Sequence, residues 1–195
     1  MAEIKPRFEF RIWSESLTPL RAKLAALAEG SEKSSEETYL ISAATEGCNA
    51  KIRADLMDIK VLIAVERGLE QWNPTLKAGF PLNAATITEK VFPSLQLAAP
   101  APAKPEYTFD EFLNEVIRPN PKIAIVAVTK VRNQFSIGLC ATEYSRIMIN
   151  GVPRDTVAVE STDADAVLEL VEKLGIHEPN VSYIREIRRI LGWGA

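Results

Sequence analysis

Short runs in which charged and apolar residues alternate dominate this chain, and they predict strands. In Arg7-Phe8-Glu9-Phe10-Arg11-Ile12, the residues Phe8, Phe10 and Ile12 share one face and Arg7, Glu9 and Arg11 the other, because successive strand side chains point to opposite sides. The alternation returns in Lys51-Ile52-Arg53, in Asp58-Ile59-Lys60-Val61 and in Lys130-Val131-Arg132. One such run is an ordinary solvated strand face. Its recurrence in both halves predicts a curved surface that gathers Lys and Arg with a few carboxylates. Such a surface suits a highly charged phosphate ligand and, through the carboxylates, a divalent metal.

Helical periodicity appears between these runs. Leu17, Leu20, Leu24 and Leu27 follow that spacing around Thr18-Pro19, with Thr18 as the expected cap and Gly30 as the expected stop. Residues 39–44, 49–54 and 57–66 read as strands, and the polar stretch 32–37 between helix and strand reads as a mobile loop. Gly68 to Pro74 reads as packing, with a lid or partner surface as the alternative. An Ala/Pro-rich connection at 98–105 separates the two halves of what is expected to be one domain spanning 1–195.

Beyond it, Phe109, Phe112, Leu113, Val116 and Ile117 form a helical stripe that ends at Arg118-Pro119. Strands are expected at 122–132, 134–149 and 156–161, with Asn150-Gly151 as a hairpin turn. Residues 163–174, with acidic residues in the first turn and Gly175 after the last, read as a helix, and 181–191 as a final one. Each half thus holds basic strands and a packing helix, consistent with a loose internal duplication. The pattern predicts an α+β fold, an antiparallel barrel or a deeply curved sheet with helices packed outside.

Composition narrows the function. The chain has 195 residues and a formal net charge of -3, so basic clusters sit within an acidic exterior and bulk attraction to nucleic acid is not expected. No apolar run is long enough for a membrane helix, and the alternating start offers no secretory signal. Two distant cysteines, Cys48 and Cys140, form no disulfide framework or zinc motif by spacing and read as packing residues. A soluble cytoplasmic protein is the expectation. His177, the only histidine, reads as an exposed loop side chain, and no glycine-rich phosphate loop is present. The tryptophans read as packing anchors.

Two carboxylates stand among the basic strands. Glu9 must pair with arginine or bind a cation if its face is interior, and Glu160 lies on the face opposite to Val157 and Val159. Glu143 is a third candidate on a strand with apolar residues at both parities, so its face stays open.

In this order the residues resemble the CYTH superfamily, the triphosphate tunnel metalloenzymes. That family opens on a Glu-x-Glu-x-Lys strand, and here the corresponding strand reads Arg7-x-Glu9-x-Arg11. Tyr39, Lys51-x-Arg53, Lys60, Lys130-x-Arg132, Glu160 and the Ser182-Tyr183 start of the last helix follow in the expected succession. The resemblance implies an antiparallel eight-stranded β-barrel, a tunnel with a polar interior and helices packed outside. It implies a triphosphate or other phosphorylated small molecule as ligand, held by Lys51, Arg53, Lys60, Lys130 and Arg132, with Arg11 and Lys60 in catalytic roles. Glu9, Glu160 and Glu143 would hold Mg or Mn, and the activity would be metal-dependent triphosphate hydrolysis or an adenylate-cyclase-like reaction.

The departures bear on the metal. Arg7 replaces the first Glu of the opening motif, Arg11 replaces its Lys, and Ala158 stands where the family often has a further Glu. Two acidic positions are lost and metal binding is expected to be weakened or altered. A non-catalytic polyphosphate-binding or phospho-ligand-binding module is therefore the alternative, and an interaction domain whose inner charges merely pair with one another is a third reading.

Overall fold

The alternation at the start of the chain builds the strand β1 (Arg7–Ser14), whose apolar face turns outward and whose charged face turns in. The computed structural model describes residues 5–193. After β1 come α1 (Thr18–Leu27), β2 (Gly30–Ser42), β3 (Cys48–Arg53), β4 (Leu56–Glu66), β5 (Leu69–Gly79) and the short β6 (Leu82–Asn83). A helical run follows, made of α2 (Ala84–Thr86), a π-helical stretch (Ile87–Val91) and α3 (Phe92–Ser94). The connection at 98–105 has no regular structure and leads into β7 (Glu106–Tyr107), which pairs with β6, and α4 (Phe109–Glu111), continued by a π-helical stretch (Phe112–Ile117). The chain then forms β8 (Ile123–Ile137), β9 (Cys140–Ile149), β10 (Val152–Ser161), α5 (Ala164–Leu174) and α6 (Tyr183–Ile190).

Eight strands close into an antiparallel barrel in the order β1-β10-β9-β8-β2-β3-β4-β5. Closure removes unpaired sheet edges. The barrel is apolar outside on two sides. Leu40, Ala50, Ile52, Met57 and Ile59 of β2 to β4 pack under Phe92, Leu95, Phe112, Val116 and Ile117 of the helical runs. Ile12, Phe135, Tyr144, Val157 and Val159 pack under Leu24 of α1 and Val167, Val171 and Leu174 of α5. The third apolar cluster is internal: Tyr39, Ile41, Val126, Val128, Ile147 and Ile149 meet Tyr183, Ile184 and Ile187 of α6. This cluster fills part of the barrel interior, so the charged part is a lined cavity beside an apolar plug. Ser182 caps α6 by accepting a hydrogen bond from the Arg185 N–H.

Several local expectations are corrected. The polar stretch 32–37 is the first half of β2, hydrogen-bonded along β8 from Gly30↔Phe135 onward, because pairing with a long neighbour satisfies its backbone despite its polarity. Thr18 is the first residue of α1 and gives no cap, since the N-cap is Leu17 without a side-chain bond, and Gly30 opens β2 rather than closing the helix. The strand predicted at 134–149 is split. β8 runs on to Ile137 and turns at Gly138, whose φ is 58°, a left-handed conformation that glycine adopts without strain. The packing expected of residues 68–74 is what the structure shows, since β5 carries the sheet on from Leu69 and Trp72 is buried. Among the described residues, no helix is long and apolar enough to cross a membrane.

Candidate functional site

Strand alternation places one charged face on the inside of each wall. Register then sets the rows: Glu9 lies opposite Glu160, Arg11 opposite Ala158, and Ala158 opposite Glu143. On the other side, Lys51 lies between Tyr39 and Asp58, and Asn49 lies opposite Lys60. These rows enclose a cavity of about 330 Å³. All nine candidate residues, Glu9, Arg11, Lys51, Arg53, Lys60, Lys130, Arg132, Glu143 and Glu160, line it, together with Arg7, Tyr39, Asn49, Asp58, Gln134 and Tyr183. The open question of Glu143 is thereby settled, since it shares the inner face and accepts a hydrogen bond from the Ser145 hydroxyl at 2.7 Å.

The residue at the centre of the charge network is one that sequence reasoning missed. Glu37 on β2 has a fully buried side chain and faces Lys130 at 2.8 Å, Arg53 at 3.4 Å and Lys51 at 3.7 Å. Burial alone would raise its pKa, but Lys130, Lys51 and Arg53 together hold it down to about 2. Lys130 is less well served. It donates to the Tyr39 hydroxyl at 2.9 Å and sits 4.1 Å from the centre of the Tyr183 ring. Yet it shares its one close carboxylate with two other cations, and burial followed by repulsion from Lys51 lowers its pKa to about 7. The signal for Glu37 was present in the parity Glu37, Tyr39, Ile41, which continues one strand face back into the stretch read as loop.

Arg11 is held from three sides. Its Nε donates to Glu9 Oε1 at 2.8 Å, its Nη1 to the Thr156 hydroxyl at 3.2 Å, and its guanidinium lies 4.4 Å from the Tyr183 ring centre. Burial acts to raise the Glu9 pKa, but Arg11 and Lys60 outweigh it and the carboxylate stays ionised below its ordinary range. Glu160 moves the other way: burial and then the neighbouring Glu9 raise its pKa. Lys60 makes no ion pair among the described residues. Three further polar atoms of lining residues, the Tyr183 hydroxyl, Asn49 Oδ1 and Arg132 Nε, are buried without a hydrogen-bond partner among those residues.

The carboxylates expected to hold a divalent ion are each engaged by a guanidinium. Glu9 meets Arg11 at 2.8 Å, Glu143 meets Arg132 at 3.7 Å, and Glu160 meets Arg7 at 3.9 Å. Among the described residues, no three acidic, histidine or cysteine side chains form a cluster able to hold a metal. Ala158 occupies the inner position between Arg11 and Glu143 and offers no ligand. As a donor set for a resident ion of the magnesium type, which takes oxygen ligands in near-octahedral geometry, these residues do not fit.

No family model matches the chain, and no curated protein matches it. Solved structures match it in fold. A candidate adenylate cyclase from Bacillus halodurans aligns with a TM-score of 0.53 at 10% identity, over 94% of this chain and 98% of that one. A candidate adenylyl cyclase from Hippeastrum, in which a triphosphatase activity is dominant, gives 0.52 at 10% identity over 95% and 96%. A conserved hypothetical protein from Pyrococcus furiosus gives 0.51 at 14% identity over 92% and 97%. At such identities the likeness establishes architecture alone, and the chain shares the closed-barrel fold of these proteins.

Proposed function

We propose that the barrel cavity binds a triphosphate, inorganic or organic, through Lys51, Arg53, Lys60, Lys130 and Arg132. The observation that carries this reading is the lining itself, where seven basic side chains face four acidic ones around a single cavity. Lining charges that only neutralised one another would leave neither an excess of cations nor an unpaired Lys60. A polyanion would complete the set, taking charge-assisted hydrogen bonds from the lysines and arginines and one more from the unpartnered Tyr183 hydroxyl. The fold shared with the Hippeastrum protein, described as a triphosphatase, supports the choice of a triphosphate.

Calorimetric titration with tripolyphosphate tests the reading. Binding is expected with native protein, and Lys60→Ala and Lys51→Ala are each expected to weaken it by about tenfold or more, the size of one lost hydrogen bond between charged groups. Absence of binding, or binding indifferent to both substitutions, would overturn it.

A second reading, phosphohydrolysis, is favoured by Lys130. With a pKa of about 7, it is drawn to the charged ammonium by a bound polyanion and would place that charge against the phosphoryl oxygens within the cavity. Arg11 and Lys60 would then stabilise charge developing on the phosphoryl oxygens. Release of phosphate from tripolyphosphate, ATP or thiamine triphosphate, in chelator and with magnesium or manganese, is the check. No turnover in any of these conditions leaves the protein a binding module.

A further inference from the structure

Arg7 is the residue that the cavity places most unusually. It lies at the start of β1, next to the Glu9–Glu160 pair, and half of its side chain is exposed, while Arg11 four residues on is buried. It lines the barrel cavity and also two neighbouring depressions, one with Lys5, Asp58 and Lys60 and one with Gln134, Glu143 and Glu160. A ligand entering the cavity from either depression passes this guanidinium.

We infer that Arg7, with Arg11 behind it, bridges the cavity's carboxylates to the triphosphate directly, so that the protein takes the free polyanion without a divalent ion. The inference rests on the triphosphate reading above and goes beyond it by assigning the bridging charge to a side chain. Glu9 and Glu160 face each other across two paired strands, and carboxylates there would repel a phosphate unless positive charge stood between. A divalent ion would need oxygen ligands that Arg7 and Ala158 do not supply, and an arginine at position 7 repels such an ion while attracting the phosphate. The guanidinium meets both demands at once. It pairs with Glu160 on one edge, at 3.9 Å, and its planar fork leaves other N–H groups for phosphoryl oxygens.

The sign of the magnesium effect distinguishes the two arrangements. A site that needs the ion binds tripolyphosphate more tightly when magnesium is present. A site that takes the free polyanion binds it less tightly, because magnesium in solution competes for the same oxygens. Calorimetry with native protein in chelator is therefore expected to give a dissociation constant equal to or lower than that in magnesium. Arg7→Met is expected to weaken binding by about tenfold in both conditions, the loss of one charge-assisted contact. Arg7→Glu is expected to weaken it further in chelator and to recover with manganese, since a carboxylate beside Glu9 and Glu160 restores a metal-binding set. Native protein with manganese alone, followed by electron paramagnetic resonance, is expected to show no bound ion, whereas Arg7→Glu shows one.

Binding by native protein only in the presence of metal would overturn the inference while leaving the triphosphate reading standing. An Arg7→Met protein that binds in chelator as tightly as native would overturn it too. Failure of native protein to bind in either condition would overturn both. Thermal unfolding of each variant confirms the fold, which a half-exposed side chain at a strand end is expected to leave unchanged.

Discussion

Glutamine in place of Glu37 is expected to destabilise the protein by about 3–5 kcal/mol, the usual cost of removing one member of a buried ionic cluster, and at the same time to tighten tripolyphosphate binding. The carboxylate is fully buried and faces Lys130, Arg53 and Lys51. Its removal leaves three cations crowded without a counter-charge, which disfavours the fold and favours an incoming anion. Urea unfolding of both proteins measures the first effect and calorimetry the second. A loss below about 1 kcal/mol, typical of an exposed pair, would show that the cluster is not what holds these strands. The pH dependence has a fixed sign. The folded pKa of about 2 lies below the ordinary 4.5, so the contribution of Glu37 is complete above 4.5 and is lost as pH falls through about 2. The cost of Glu37→Gln is expected to be largest between about pH 4.5 and 7, where the carboxylate contributes fully and Lys130 still carries its charge.

Lys130 gives the second large effect. Its folded pKa of about 7 lies below the ordinary 10.5, so the unfolded chain binds more protons between those values and this residue's contribution to stability rises with pH from about 7 to 10.5. A bound polyanion reverses the balance by favouring the charged ammonium. Tripolyphosphate binding at pH 8 is thus expected to take up about one proton, and affinity to fall by up to about tenfold per pH unit above 7. The dependence of calorimetric enthalpy on the ionisation heat of the buffer measures the uptake. In Lys130→Met the uptake attributable to the protein is expected to vanish and affinity to fall. An unchanged uptake in that variant would place the titrating group elsewhere, on the ligand or on another residue.

Much of the cavity was legible before the structure because strand alternation is a local property. Arg7, Glu9 and Arg11, Lys51 and Arg53, and Lys130 and Arg132 each declare a shared face within a few residues, and apolar partners at the other parity show which face packs. All of them line one cavity. Glu143 resisted this reading because its strand carries apolar residues on both faces: one face packs against α5 and the other carries Ile147 and Ile149 into the internal plug. Glu37 was hidden for a different reason. Its surroundings, Ser34-Ser35-Glu36-Glu37, have low strand propensity, and pairing with β8 overrides that preference.

Residue order was enough to establish that charged strand faces exist and that basic residues outnumber acidic ones on them. These are facts of residue type and parity, which a strand's two-residue period transmits directly. Tertiary structure alone decided which charges meet. Closure of β1 onto β5 and β10 sets Glu9 against Glu160, pairing of β2 with β8 carries Glu37 to Lys130, ninety-three positions along the chain, and α6 brings Tyr183 over both Arg11 and Lys130. Ion pairing falls off with distance and strengthens with burial, so the strength of each charge, and with it the character of the site, follows from long-range register and desolvation that no local pattern contains.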